Sequence, residues 1–242
     1  MKKQLIYRDL AKYYDLIYSW KDYKREAEKI KRLISKYKKS KGKEFFDVAC
    51  GTGAHLKYFK NDFHCMGIDV NEGILAIARK NIKGVKFREM DMIKLNLNKQ
   101  FDVITCLFSS IGYVKTYSNL KRTIKNFAKH LKIGGVVIIE PWFSKRIYRV
   151  GLPHMNIYDG ENIKIARLNI SKRKGNISCM DMHYLIAEKD KDVKHFVERH
   201  ELGMFEGDKF LDFMEKAGLK AKYLKNGLMK DRGLYLGIKV SE

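Results

Sequence analysis

From residue 44 onward the sequence alternates short apolar runs with segments of helical periodicity, and this alternation limits the fold more than any other feature. The apolar runs lie at residues 44–49, 64–70, 85–90, 101–108 and 134–142. Strands that alternate with helices along a chain predict βαβ units. The last run, GGVVIIEPW, is apolar throughout, which is typical of a strand buried on both faces. The sequence therefore predicts an α/β fold with a doubly wound, mostly parallel sheet.

Beyond residue 143 the apolar residues recur at every second position, as in IKIARLNI and ISCMDMHYLIAE. Turn pairs such as Asp159-Gly160 and Gly175-Asn176 separate these segments, so we expect antiparallel strands. A helix and two strands follow and should complete the main sheet. The predicted parts are a helical lid at 1–43, a core at 44–143 and 204–242, and an antiparallel β insertion before the last helix and strands, at 144–203.

Two classes of protein are disfavoured by what the sequence lacks. No apolar run approaches the roughly 20 residues that a bilayer crossing needs, and charges interrupt the N-terminal segment where a signal peptide would be apolar. We therefore expect a cytoplasmic protein that does not bind membranes. Cys50, Cys65, Cys106 and Cys179 form no CxxC pair, so we interpret them as buried thiols and expect no metal site.

The chain is strongly basic, because 50 Lys and Arg against 28 Asp and Glu give it a formal net charge of +22. Residues 1–43 alone hold 15 basic and 5 acidic side chains. Such a charge attracts polyanions at low salt, but a solvated, lysine-rich helix face is the explanation that we favour. Nucleic acid is therefore a partner that the charge allows and that we do not favour.

Chemistry-bearing residues follow the predicted strands at their carboxyl ends. The loop DVACGTG at 47–53 ends the first strand, Asp69 the second, Asp91 the third and the pair Leu107-Phe108 the fourth. Glycines let a ligand approach the backbone, and a carboxylate about 20 residues further on accepts hydrogen bonds from ribose hydroxyls. The chain has no GxxxxGK[ST] motif, and Asp47 would repel a pyrophosphate. These features favour a nucleoside that carries a cation over a dinucleotide.

With this motif spacing, the sequence resembles the S-adenosylmethionine-dependent methyltransferases of the Rossmann-like class. More narrowly, it is similar to the N,N-dimethyltransferases that act on nucleotide-linked amino sugars, such as those building desosamine and mycaminose. The matching blocks are KDYKREA at 21–27, DVACGTGAHL at 47–56, FSSIGY at 108–113, GGVVIIEPW at 134–142 and RGLYLG at 232–237. The resemblance implies S-adenosyl-L-methionine as the cofactor. It also implies N-methylation of a small-molecule amine, phosphorylated or nucleotide-linked, as the activity.

The resemblance further implies a set of cofactor-binding residues. They are Tyr14, Tyr23, Asp47, Ala49, Gly51, Gly53, Asp69, Val70, Asp91, Met92, Leu107 and Phe108. In the resembled family the equivalent of Asp69 holds the ribose hydroxyls, and the equivalents of Asp91 and Met92 bind the adenine. Ala49 replaces a commoner glycine of the loop.

On the acceptor side, the resemblance implies Trp142 and Arg232 as substrate-binding residues, with Arg232 on a substrate phosphate. Tyr18, Tyr113, Glu140 or a water held between them could take the proton from the amine, and the sequence does not choose among them. His183 is a further catalytic candidate, expected at the substrate mouth with Tyr113, Glu140 and Trp142. The family's Gly-Arg-Gly between the lid tyrosines is shortened here to Ser19-Trp20.

Two alternatives stay open at this point. The net charge suggests a methyltransferase acting on RNA or ribosomal protein, although the chain has neither a [DNS]PP[FYW] motif after the fourth strand nor a Pro before Cys106. The second alternative is a basic scaffold protein that binds the cofactor without catalysis. The completeness of the cofactor motifs argues against the scaffold.

Overall fold

The computed structural model describes residues 11–240. Its strands are β1 Glu44–Val48, β2 His64–Asp69, β3 Lys86–Glu89, β4 Phe101–Cys106, β5 Leu131–Ile139, β6 Pro153–Asp159, β7 Ile163–Ile170, β8 Lys172–Lys174, β9 Ile177–Glu188, β10 Lys194–Gly203, β11 Leu219–Leu224 and β12 Leu234–Lys239. The helices are α1 Tyr14–Ile17, α2 Tyr23–Tyr37, α3 Leu56–Phe59, α4 Glu72–Asn81, α5 Tyr117–Lys129 and α6 Gly207–Glu215. Short 3-10 helices cover Ala11–Tyr13, Met92–Lys94 and Ser110–Val114.

The main sheet has seven strands in the order β11-β12-β5-β4-β1-β2-β3. Strands β1 to β5 pair in parallel, and the last two strands pair antiparallel at one edge. From β1 the chain winds outward through β2 to β3, then returns to the other side through β4 to β5. This reversal opens a crevice outside the carboxyl ends of β1 and β4, where ligands bind in open α/β sheets. The predicted doubly wound, mostly parallel sheet is confirmed.

Aromatic stacking and helices on both faces bury the central strands. All residues of β4 are buried, and the Phe101 ring stacks on Phe46 of β1 with centroids 4.4 Å apart. On the opposite face, Phe45 stacks on Phe59 of α3 at 4.5 Å. Because neighbouring residues of β1 point into different layers, one strand joins both halves of the core.

The second sheet is antiparallel, with the order β10-β9-β7-β6 and β8 paired to β9. It lies between β5 and α6 in the sequence, so the predicted antiparallel insertion is confirmed. One face packs on α1 through Ile165, Tyr184 and Ile186, which are almost fully buried. This contact closes the second sheet over the crevice of the first.

Some predicted details differ from the structure. Helix α5 begins at Tyr117 instead of residue 119, because the Thr116 hydroxyl accepts a hydrogen bond from the Asn119 amide (3.2 Å) and caps the helix there. Strand β5 ends at Ile139, three residues before the predicted end. Of the four thiols, Cys50 and Cys179 are partly exposed, so the interpretation of all four as buried was wrong.

The limits of the three predicted parts stay a prediction, and residues 1–10 of the proposed lid lie outside the described residues. In the described part of the lid, the Asp22 carboxylate caps α2 by accepting from the Arg25 amide at 2.9 Å. Between residues 11 and 240, no helix is long and apolar enough to span a bilayer.

Candidate active site

The loop after β1 brings bare backbone to the mouth of the crevice. Ala49, Gly51 and Gly53 all have positive φ, at 58°, 57° and 76°. Such a conformation disfavours side chains, and a Cβ added to Gly53 would lie 2.7 Å from Ile82 Cδ1. Gly51 and Ala49 line the cavity described below, so a ligand there meets main chain and a single methyl group.

Asp69, the last residue of β2, points its carboxylate at this loop. Its Oδ2 accepts from the Gly51 amide and its Oδ1 from the Asn71 amide, both at 3.1 Å. Burial raises the pKa of the Asp69 carboxyl to about 6, although both amide donors act in the opposite direction. A carboxylate with this environment gains from further hydrogen-bond donors or a nearby cation.

Asp47 lies beneath the loop, where the Thr105 hydroxyl donates to its Oδ1 at 2.8 Å. Burial raises the pKa of the Asp47 carboxyl to about 7, and the charge of Asp69 contributes in the same direction. The described cavity wall includes Asp69 and not Asp47. Asp47 therefore supports the loop from behind.

Asp91 and Met92 follow β3 at the same edge of the sheet. The Asp91 Oδ1 accepts from the Ile93 amide (2.9 Å) and so caps the 3-10 helix. The Met92 side chain is buried, while Asn126 of α5 donates to its carbonyl at 3.0 Å. The Asp91 and Met92 backbone is thus fixed from two sides.

These strand ends line one cavity of about 990 Å³. It extends from the loop of β1 to the edge strand β10 of the second sheet. Its walls are formed by Tyr14, Ala49, Gly51, Asp69, Val70, Asn71, Glu89, Met90, Asp91, Met92, Ile93, Ser110, Tyr113, Val114, Lys115, Val197, Glu198, Arg199 and Glu201. A nucleoside and a sugar can both be held in a space of this size.

The lid tyrosines form an aromatic cluster over the end of β4. The rings of Tyr14 and Tyr18 lie 4.7 Å apart, and Tyr18 meets the Phe108 ring edge-on at 5.0 Å. Tyr23 packs instead against His55, with centroids 4.9 Å apart. Burial raises the pKa of Tyr23. Leu107 is buried in the core beneath this cluster.

Arg167, which the sequence analysis missed, holds the Tyr18 ring from the second sheet. Its Nη1 donates to Tyr18 Oη at 2.8 Å, and its guanidinium lies 5.1 Å from the ring centroid. Asn156 of β6 accepts from the same guanidinium. Because Arg167 donates, the Tyr18 hydroxyl hydrogen can point to another acceptor.

The turn after β4 carries an unusual backbone. Phe108 and Ser109 have φ of 51° and 61°, in the left-handed region. The buried Glu140 carboxylate fixes this turn, since its Oε2 accepts from the Phe108 amide at 2.7 Å. Its Oε1 finds no hydrogen-bond partner within the described chain, and burial raises the pKa of the Glu140 carboxyl.

A buried charged cluster joins the lid to the core. Lys21 forms an ion pair with Glu26 of α2, and His55 Nε2 lies 2.7 Å from Glu26 Oε2. The Lys21 ammonium also lies 4.5 Å from the centroid of the Phe108 ring. Lys21 belongs to a matched sequence block, but only the fold shows that it is buried and that it packs against the Phe108 ring.

Arg232 reaches back from the segment before β12 to the same turn. Its Nη1 donates to Ser109 Oγ at 2.9 Å, and its guanidinium lies 4.7 Å from the Trp142 ring and 4.6 Å from Phe143. Burial lowers the pKa of Arg232. A partly buried cation of this kind gains from a nearby anion.

Tyr113 contacts His200, which in turn contacts Glu198, and sequence reasoning missed both of these residues. Its hydroxyl lies 2.7 Å from His200 Nδ1, and His200 Nε2 lies 3.1 Å from Glu198 Oε2. His183 does not join them and is a correction to the predicted set. It is exposed, on the opposite face of β9 from the buried Tyr184, and its Nδ1 lies 3.2 Å from His195 Nε2.

The structure thus brings eight predicted site residues into the wall of one cavity: Tyr14, Ala49, Gly51, Asp69, Val70, Asp91, Met92 and Tyr113. A second group does not line this cavity and is joined by contacts around the turn after β4: Tyr18, Phe108, Glu140, Trp142 and Arg232. Tyr23, Asp47, Gly53 and Leu107 also lie outside the cavity wall, and the exposed His183 joins neither group. Within the described chain, His, Cys, Asp and Glu side chains form no group of three or more that could hold a metal ion.

Residues 45–135 match the family model described as a methyltransferase domain. The chain is 34% identical to dTDP-3-amino-3,4,6-trideoxy-alpha-D-glucopyranose N,N-dimethyltransferase of Streptomyces venezuelae, over 95% of this chain and 98% of that protein. It is also 34% identical to dTDP-4-amino-2,3,4,6-tetradeoxy-D-glucose N,N-dimethyltransferase of Saccharopolyspora spinosa, over 96% and 93%.

Solved structures agree with these relatives. The crystal structure of Streptomyces venezuelae DesVI superimposes with a TM-score of 0.88 at 34% identity, covering 94% of this chain and 97% of that one. The S-adenosylmethionine-bound amino pentose methyltransferase CalS10 of Micromonospora echinaspora gives 0.82 at 28% identity, covering 90% and 92%. With this similarity along nearly its whole length, the chain belongs to the S-adenosylmethionine-dependent methyltransferase family that includes the sugar N,N-dimethyltransferases.

Proposed function

We propose that this protein transfers methyl groups from S-adenosylmethionine to the amine of a nucleotide-linked amino sugar. The observation that carries the proposal is the near full-length similarity to enzymes whose names specify dTDP-amino-sugar N,N-dimethylation. The shared length includes the second sheet, which forms the far wall of the cavity, and not only the cofactor-binding core.

The residues of the crevice suit the cofactor. Asp69 offers a carboxylate to the ribose hydroxyls, with Val70 beside it, and the bare backbone of Gly51 leaves room for the methionine part. Asp91 and Met92 line the same cavity and would bind the adenine edge. When bound, S-adenosylmethionine supplies a methyl group that its sulfonium has already activated. The protein therefore has to align the acceptor and exclude water, and alignment alone contributes about 7 to 11 kcal/mol.

The acceptor side of the proposal rests on Arg232 and the aromatic lid. Arg232 and Ser109 present a guanidinium and a hydroxyl that would bind a phosphate of the nucleotide, with Trp142 packed beside them. Tyr18 and Phe108 would form the dry aromatic wall around the reacting amine.

Glu140 has a different role in this proposal from that of a mobile base. Its Oε2 is engaged by the Phe108 amide, and the cations of Lys21 and Arg232 lower its pKa against the effect of burial. We assign Glu140 to holding the turn after β4. Tyr18 and Tyr113 remain the hydroxyls available to the substrate amine.

The net charge of +22 keeps RNA or protein methylation as a second candidate, and nucleic acid as a partner stays untested. The cytoplasmic location also stays a prediction. A basic surface would bind a polyanion by contacting many phosphates at once. The partly buried Arg232 can contact only one or two phosphates, as a nucleotide-linked sugar would require.

A parallel methyl-transfer assay tests the proposal. With labelled cofactor, we expect transfer to a dTDP-linked amino sugar and none above background to cell RNA or cell protein. Arg232→Ala should raise KM for the sugar nucleotide, whereas Arg149→Ala, an exposed arginine on the loop before β6, should not. Labelling of RNA with no labelling of any amino sugar would overturn the assignment of the substrate.

A further inference from the structure

Tyr113, His200 and Glu198 form a continuous hydrogen-bonded chain, and its two end residues, Tyr113 and Glu198, both line the cavity. The distances are 2.7 Å from the Tyr113 hydroxyl to His200 Nδ1 and 3.1 Å from His200 Nε2 to Glu198 Oε2. Tyr113 lies on the 3-10 helix after β4, while the other two residues lie on β10 of the second sheet. The chain therefore forms only when the two sheets are packed together.

Strand parity explains why two polar residues of β10 are buried. Glu198 and His200 are two positions apart, so they share the inward face, and they are only 4% and 5% exposed. Antiparallel pairing places them opposite Met182 and Met180 of β9. In such apolar surroundings, a His and a Glu are costly unless their polar atoms are hydrogen-bonded.

The pair with Glu198 determines which nitrogen of His200 carries the hydrogen. An ionised carboxylate can only accept, so the hydrogen must be on Nε2. In the neutral ring Nδ1 then has a lone pair, and the Tyr113 hydroxyl donates to it. This is the order of groups by which a carboxylate orients a histidine base toward a hydroxyl in hydrolytic triads.

We propose that His200, oriented by Glu198, takes up the proton that the substrate amine loses, through the Tyr113 hydroxyl. The proposal rests on the proposed amine N-methylation, because an amine that arrives as an ammonium has no lone pair with which to attack. A secondary ammonium formed by a first methylation has the same need before a second.

The proton transfer balances within these groups. The N–H bond of the ammonium breaks and leaves its electron pair on nitrogen, while a new O–H bond forms on the Tyr113 oxygen. At the same time the original O–H bond of Tyr113 breaks, and its proton forms an N–H bond with Nδ1 of His200. Tyr113 is unchanged, the amine is neutral, and the imidazolium is paired with the Glu198 carboxylate.

Tyr113 could not do this alone, since a hydroxyl that gains a proton without releasing its own becomes an oxonium. A neutral imidazole, by contrast, can accept a proton at its unprotonated nitrogen. The ionisable side chains around the relay include Tyr14, Tyr18, Lys115, Arg167, Tyr184, Arg199 and Glu201. Arg199 is paired with Asp181 at 2.7 Å. Lys115 and Glu201 pair with each other at 2.6 Å, so together they add little net charge to the site.

The first test is the pH dependence of turnover in His200→Asn. The Asn Oδ1 can accept from Tyr113 in place of Nδ1 but takes up no proton. We expect kcat to fall on the order of 100-fold near pH 7 and to recover as the pH rises and the amine loses its proton to solvent. KM for the sugar nucleotide and Kd for the cofactor should stay within about twofold.

Matched variants separate a relay from a structural role. Tyr113→Phe should give the same pH profile, and the double variant should be no slower than either single one, because the residues act as a unit. His195→Asn, on the exposed face of the same strand, should behave as wild type. A uniform loss of rate at every pH, or a wild-type profile in His200→Asn, would refute the relay.

A second measurement needs no substrate. The ¹⁵N shifts of His200 in the intact protein should show the Nε2–H tautomer when the ring is neutral, and Glu198→Gln should change that distribution. An Nδ1–H tautomer would overturn the relay even if the enzyme methylates amino sugars. Conversely, a wild-type enzyme that methylates no amino sugar while showing the expected tautomer would contradict the proposed function and leave the hydrogen-bond order supported.

Discussion

The assignment of Asp69 to the cofactor makes affinity depend on pH. Burial raises its carboxyl pKa from 3.8 to about 6, and its hydrogen bonds from the Gly51 and Asn71 amides still leave acceptor capacity for ribose hydroxyls. The ionised carboxylate accepts these bonds more strongly than the protonated one. Binding should therefore favour the ionised form, and affinity should fall as the pH falls through about 6.

The size of the effect follows from the pKa. At pH 5 about one Asp69 in eleven is ionised, and at pH 8 nearly all are, so Asp69 alone should weaken binding about tenfold between pH 8 and pH 5, or about 1.4 kcal/mol. Asp69→Asn removes this titration and a charge-assisted pair of bonds. At pH 8 the variant should bind about 10 to 150 times more weakly, from a loss of about 1.5 to 3 kcal/mol.

Titration calorimetry at pH 5 and pH 8 measures both quantities. Groups of the cofactor itself titrate identically for wild type and variant, so the difference between the two pH curves isolates Asp69. Thermal melting without cofactor checks that Asp69→Asn is folded, and the exposed Asp192→Asn serves as the charge-matched control. Parallel pH curves, or equal affinities at pH 8, would remove Asp69 from the cofactor site.

Three further outcomes are expected. The Asp47 carboxyl has a pKa of about 7 in the folded protein and 3.8 in the unfolded chain. Its contribution to the free energy of unfolding is therefore fully present below about pH 4 and declines as the pH rises through 7. Asp47→Asn should remove this decline, and denaturant unfolding at pH 8 should show a gain of up to about 4 kcal/mol in stability. Tyr18→Phe should melt within a few degrees of wild type but transfer methyl groups more slowly, and a large fall in melting temperature at unchanged rate per folded molecule would make Tyr18 a packing residue. The salt dependence of KM for the sugar nucleotide should be shallow, with a log–log slope of about 1 or 2, and Arg232→Ala should reduce it; a slope of several would indicate a polyanion.

The main sheet could be predicted from the sequence because buried parallel strands are continuous apolar runs. The position of the site could be predicted because the carboxyl ends of these strands meet at one edge of the sheet. That geometry alone gathers Asp69 and Asp91 at one cavity. The exact limits of α5 and β5 depended on a Thr116 cap and on strand pairing, which periodicity does not resolve.

The second sheet was harder to predict in detail, because one position of register decides which face a side chain occupies. His183 was expected at the substrate mouth, but its neighbour Tyr184 takes the inward face of β9. Arg167 and His200 lie on inward faces and were missed. The i, i+2 spacing of Glu198 and His200 in a period-two segment was the one signal that could have indicated a shared face.

The two sheets divide the labour of the cavity in a way that matters for how such an enzyme can diversify. The main sheet supplies Asp69 and Asp91 to the cavity wall, whereas Glu198 and Glu201 of the wall lie on β10, in the sheet inserted between β5 and α6. Substitutions in β6 to β10 can therefore reshape the acceptor pocket while the strand ends that face the cofactor keep their sequence. A library of variants with substitutions confined to those strands is therefore the most direct way to obtain enzymes for new acceptor amines. By the same reasoning, a duplicated gene can acquire a new substrate while its cofactor-binding residues stay unchanged.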